Sequence, residues 1–193
     1  METWGRLILE SLLQPRDAAR KVLAVRVGFD ALLEAALAVT CIGMVLAFIA
    51  VRLSPGALDP STTFVLANPL LGAAFQLCVL AAVVGGIVHV GRFFGGKGSV
   101  TGALATVVWL DFVMLLIQAL QIAAIVLVPP IATFLSIAAV IWVIWAMACF
   151  VSELHGFQNP IVVMGGVVLS MAVLFFGIAL VLTFIGAPLE GAG

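Results

Sequence analysis

The residues able to do chemistry in this chain are few, and the sharpest is a lone acid inside an apolar run. Asp111 stands about ten residues into the segment 101–128, roughly 15 Å along a helix. An ionised carboxylate at that depth in hydrocarbon is costly, so the group must be protonated or solvated by a polar cavity. Gln118, a further two helical turns along, shares its face, and Gln121 lies on an adjoining strip. Counting from the helix ends places Thr40 and Ser170 at a similar depth, as candidate hydrogen-bond partners. No Lys, Arg or His falls at that level to neutralise the acid. Asp111, Gln118, Gln121, Thr40 and Ser170 therefore form a candidate intramembrane polar site. It suits either a neutral acid that ties helices together or a polar path for a proton or small ligand.

A second group lies where apolar runs end. His89 and Arg92 close one run, and Glu153 and His155 close another. Two imidazoles and a carboxylate are metal-ligating types, but Glu153 and His155 sit two apart and do not share a helical face, unlike the helical H-E-x-x-H pattern. Side chains that anchor helix ends and meet lipid headgroups or a partner are the reading preferred here. Residues Gly91 to Lys97 read G-R-F-F-G-G-K, which matches the start of a phosphate-binding loop. Gly98 stands where that motif needs Ser or Thr for magnesium, and an apolar helix rather than a strand precedes it. A basic turn at a membrane surface, with Phe93 and Phe94 dipping among headgroups, accounts for the segment better. No nucleophile, base and orienting acid converge in the sequence, so no enzyme activity, cofactor or metal is expected.

The elements that must position these groups are set by composition. Of 193 residues, 65% are hydrophobic and 9% charged, where a soluble domain has about a quarter charged. The expected fold class is an all-α polytopic membrane protein with five transmembrane helices. Residues 1–28 form short cytoplasmic amphipathic and basic helices. In them Trp4, Leu7, Ile8 and Leu12 recur at helical spacing, and Gln14-Pro15 breaks the pattern before Arg16, Arg20, Lys21 and Arg26. Asp17 and Lys21 are spaced for an ion pair. The transmembrane domain covers 29–186, with spans near 31–51, 69–90, 101–128, 131–151 and 160–185, and 187–193 forms a tail.

Pro55, Gly56, Asp59 and Pro60 supply turn chemistry after the first span. The Asn68-Pro69 and Asn159-Pro160 pairs place an N-cap before a proline at the first helical position. Ser99 suits a cap, and Pro129-Pro130 a turn. Trp142 and Trp145 suit the headgroup level. Cys41, Cys78 and Cys149 lack metal or disulfide spacing and are expected as buried free thiols. Small-residue pairs such as Ala81 and Gly85, or Gly166 and Ser170, allow close helix approach within the chain or between copies.

Every Lys and Arg except Arg52 falls on one side of this topology. The bias in basic residues predicts a cytoplasmic N-terminus and, with an odd number of spans, a periplasmic C-terminus. A net charge of −1 gives no basic footprint for nucleic acid. The expected partners are the lipid bilayer and either a membrane-protein partner or a second copy of the chain.

Three segments carry a resemblance. Leu12-Leu13-Gln14-Pro15-Arg16-Asp17-Ala18 resembles the proline-containing amphipathic lead-in of the Yip family, the Ypt/Rab GTPase-interacting membrane proteins, in its prokaryotic branch. Gly95-Gly96-Lys97-Gly98-Ser99 resembles the glycine-rich cytoplasmic loop of that family. Trp142 with Glu153-Leu154-His155-Gly156-Phe157 resembles the end of its fourth span and the following loop. The chain departs from the family in having no tyrosine, with Trp109 to Phe112 near the position of a frequent Gly-Tyr feature. The resemblance implies a five-helix fold, a cytoplasmic N-terminus and a non-enzymatic role. The expectation is a scaffold or interaction protein of the bacterial inner membrane. It engages lipid or partners through a cytoplasmic layer of Arg16, Arg20, Lys21, Arg26, His89, Arg92, Lys97, Glu153 and His155. The alternative is a small transporter or channel built around Asp111.

Overall fold

The computed structural model describes residues 2–53 and 68–190, which are helical apart from short connections. The helices are α1 (Glu2–Leu13), α2 (Pro15–Ala24), α3 (Phe29–Leu53), α4 (Pro69–Phe93), α5 (Val100–Leu127), α6 (Pro129–His155) and α7 (Pro160–Glu190). No strand occurs among the described residues. The turn residues Pro55, Gly56, Asp59 and Pro60 lie outside them. Helices α3 to α7 are each long and apolar enough to cross a bilayer, the shortest such stretch being the 21 residues of Pro160–Leu180. At 1.5 Å per residue that stretch already reaches about 30 Å, the thickness of the hydrocarbon core. The chain is a multi-pass membrane protein, and α7 continues to Glu190, into the segment 187–193 read as a tail.

Helix boundaries follow local chemistry. Asn159 Oδ1 accepts from Ile161 N–H at 2.9 Å, and Ser99 Oγ accepts from Gly102 N–H at 3.0 Å. Asn68 sits at the N-cap of α4 with extended backbone, before Pro69. Between α5 and α6, Val128 N–H bonds Ala124 O at 2.8 Å and Ile131 N–H bonds Val128 O at 3.0 Å. Pro129 and Pro130 carry no N–H, so every backbone donor from Val128 to Ile131 is bonded. With Leu127 and Phe134 exposed beside it, the tip suits an apolar surrounding.

Helix α5 is the hub, packed against α2, α3, α4 and α6, while α7 packs against α6. One core joins Leu32 and Ala36 of α3, Leu80, Val84 and Val88 of α4, and Leu104, Val107 and Val108 of α5. Further along, Gly43 lies against Leu115, so α3 and α5 run in the same direction. The outward faces stay apolar, as at Val162, Leu169, Phe175 and Phe176, which a lipid solvent requires. Cys149 is buried as expected, but Cys41 and Cys78 are exposed on helix surfaces. Among the described residues, nothing approaches the Cα positions of Gly85, Gly86 and Gly166 closely enough to need a glycine there.

Candidate functional site at the basic face

The N-terminal helices do not lie free. Ser11 is fully buried, and its hydroxyl donates to Leu7 O at 2.8 Å and accepts from Trp109 Nε1 at 3.0 Å. Its carbonyl accepts from Trp142 Nε1 at 3.3 Å. The Trp4 ring lies 6.1 Å from that of Trp109. In α2, Ala18 and Ala19 are fully buried against Leu110, Ala146 and Phe150. Trp142 therefore spends its N–H on α1 rather than on lipid headgroups. The buried polar atoms of Ser11 are satisfied, as a docked helix demands.

Charge completes the docking. Glu153, 17% exposed at the end of α6, accepts from Arg16 Nε at 2.7 Å and from Arg20 Nε at 3.1 Å. Arg16 also reaches Gln158 O at 3.3 Å. The hydrogen bonds and charge of Glu153 hold Arg20 more firmly protonated than usual. On α1, Glu10 binds Lys21 at 2.5 Å and Arg6 at 3.3 Å. The Lys21 hydrogen bond lowers the Glu10 carboxyl below its ordinary value, against the opposing effect of desolvation. Lys21 is thus drawn to Glu10, and Asp17 pairs with Arg20 at 3.7 Å instead of the expected Lys21. Among the described residues, Arg26, Arg92 and Lys97 are left without an ion pair, while Arg52, at the other end, lies over the Phe48 ring at 4.9 Å.

His155 locks a second joint. Helices α4 and α6 end in matching caps: Gly95 and Gly156 take φ of 83° and 75°, which only glycine adopts easily. Gly96 N–H bonds Gly91 O and Phe157 N–H bonds Ser152 O, both at 2.8 Å, the Schellman arrangement. The imidazole of His155 fits against the α4 cap so closely that a Cβ at Gly91, Gly96 or Gly98 would overlap it. Its Nδ1 donates to Val151 O at 3.1 Å, its ring stacks on Phe157 at 5.6 Å, and its buried Nε2 has no hydrogen-bond partner. The segment resembling a phosphate-binding loop is thus a helix cap folded around a histidine. His89 stays exposed, with Nδ1 donating to Gly85 O at 2.7 Å.

The membrane-depth group is arranged differently. Asp111 extends the α5 stripe of Leu104, Val107 and Val108, and Thr40 extends the α3 stripe of Leu32 and Ala36. The register set by Gly43 and Leu115 places Thr40 level with Asp111. Gln76, missed in the sequence reading, continues the buried Leu80, Val84, Val88 stripe of α4 toward the same junction. No hydrogen bond joins Asp111 to Thr40, Gln118 or Ser170. Gln121 reaches Ser136 Oγ at 3.4 Å, and Ser170 sits on α7, which packs against α6. Among the described residues, no group of three or more His, Cys, Asp or Glu is placed to hold a metal ion.

Comparison with curated proteins and with solved structures gave no match. A five-span apolar bundle, a proline-broken lead-in docked on it and a glycine-rich turn closed over the end of the fourth span are the features that resembled the Yip family in sequence. The Yip1 domain model matches residues 9–186, nearly the whole chain, and the protein belongs to the Yip1 domain family.

Proposed function

We propose that this protein is a non-enzymatic scaffold of the bacterial inner membrane that engages lipid or membrane-protein partners through a cytoplasmic basic face. The observation that carries the reading is the division of charge on that face. Arg16, Arg20 and Lys21 are bound to acids of the chain and build the layer, whereas Arg26, Arg92 and Lys97 keep their charge for a partner. The same bias in basic residues supports a cytoplasmic N-terminus. Two kinds of variant separate the roles. Arg26→Gln with Arg92→Gln and Lys97→Gln should strip co-purifying lipid or protein from the full chain isolated in mild detergent. Arg16→Gln with Arg20→Gln should chiefly lower stability. Undiminished co-purification by the triple variant sinks the reading.

A second reading, a small transporter or channel, draws support from the convergence of Thr40, Gln76 and Asp111 on the faces that α3, α4 and α5 turn toward one another. A polar layer beneath an apolar plug is the form a gated path would take. Reconstituted vesicles should then show proton or small-ion flux that Asp111→Asn abolishes in a folded protein. Equal flux from both proteins, or none from the parent, removes this alternative.

A further inference from the structure

The turn after α4 presents a combination found nowhere else among the described residues: two unpaired cations flanking two exposed aromatic rings. Phe93 and Phe94 are 86% and 69% exposed, with their rings edge-to-face at 5.4 Å. Arg92 precedes them and Lys97 follows. Both cations are exposed and meet no acid, and the exposed Asp30 and Glu34 of α3 pair with neither. The turn is held from beneath, because Gly91, Gly96 and Gly98 close on the His155 ring and the cap hydrogen bonds fix its backbone. A rigid mount with apolar rings and outward cations suits a boundary where hydrocarbon meets negative charge.

We propose that the Arg92–Lys97 turn binds the phosphate headgroup of an anionic phospholipid, with Phe93 and Phe94 inserted among the acyl chains and Arg92 and Lys97 on the phosphate. This rests on the reading of the basic face as the engaging surface and assigns its partner. Lipid is favoured over a soluble protein because the exposed rings stand at the end of a membrane-spanning helix, where acyl chains are the nearest apolar medium. Charge complementarity selects the anionic class, and Arg supplies a fork that matches phosphate.

The test uses the full chain in mild detergent, titrated with phosphatidylglycerol or phosphatidylcholine, with bound lipid counted by native mass spectrometry. The parent should prefer phosphatidylglycerol. Each of Arg92→Gln and Lys97→Gln should weaken that lipid by about fivefold and the pair by about thirtyfold, the scale of one cation near an anionic surface. Arg6→Gln, a similarly exposed cation already paired with Glu10, should leave the preference intact. Phe93→Ser with Phe94→Ser should weaken both lipids, and millimolar inorganic phosphate should displace neither. An unchanged preference in the double variant, an equal loss in Arg6→Gln, or displacement by free phosphate overturns the proposal. If the double variant keeps its lipid while the triple variant above loses a protein partner, the lipid assignment fails and the scaffold reading stands. If neither changes, both fail.

Discussion

Replacing Gly91 with alanine should destabilise the protein, although the same exchange in most helices does the reverse. Alanine is favoured over glycine in a helix by about 0.8–1 kcal/mol. At Gly91 the new methyl would occupy the space of the His155 ring, which is held by the Val151 carbonyl and by stacking on Phe157. Overpacking of this kind costs about 1–3 kcal/mol, more where no flexible side chain can yield. The expected net effect of Gly91→Ala is a loss of about 1–2 kcal/mol. His155→Ala alone should cost about 2–4 kcal/mol through the vacated space. Combined, they should cost less than their sum by about 1.5–3 kcal/mol, because the methyl then fills room the ring has left. Equilibrium unfolding in mixed detergent micelles measures all three. A stabilised Gly91→Ala protein, or strict additivity in the double variant, refutes the cradle.

Glu153→Gln should lower stability by about 1–2 kcal/mol in the same assay, since two partly exposed ion pairs each contribute at most about 1 kcal/mol. Ser11→Ala should cost about 1–3 kcal/mol by leaving the Trp109 N–H without its partner, with a change in tryptophan emission as the second readout. Because Lys21 and then Arg6 hold the Glu10 carboxyl below its ordinary 4.5, the stabilisation from this group is complete above that value. It is lost as pH falls through the lowered value, so Lys21→Met should flatten the acid limb of a stability–pH curve.

Much of the bundle was legible because lipid leaves a chain few options: long apolar runs must be helices, and prolines and caps mark their ends. Ser99 and Asn159 act as their sequence context predicts. The docking of α1 and α2 was not legible. Trp4, Leu7, Ile8 and Leu12 give the amphipathic signature of a helix lying on a membrane, and nothing local shows that Leu7 packs into the bundle and Trp4 meets the Trp109 ring. Ala18 and Ala19, small residues between Arg16 and Arg20, are what let α2 pack closely there. The charges of the basic face were identified one by one, but pairing depends on tertiary register, so Arg16 and Arg20 could not be separated from Arg92 and Lys97. Gln76 escaped notice because a lone amide in an apolar run carries no charge. Its meaning appears only when the stripes of α3, α4 and α5 are seen to converge. The glycines around His155 looked like a phosphate loop because both structures need the same absence of side chains.

The central claim is that the N-terminal helices are docked onto the end of α6, which reserves the α4 turn for a partner. It is tested most directly by contact in the native membrane. In a chain whose native cysteines are replaced by alanine, Arg16→Cys with Glu153→Cys should be joined by a short bifunctional thiol reagent, because the native side chains meet at 2.7 Å. Arg52→Cys with Glu153→Cys, at opposite ends of the bundle, should not. Efficient cross-linking of the first pair alone is the predicted result. No cross-link at that pair, in a protein still inserted and folded, would contradict the account.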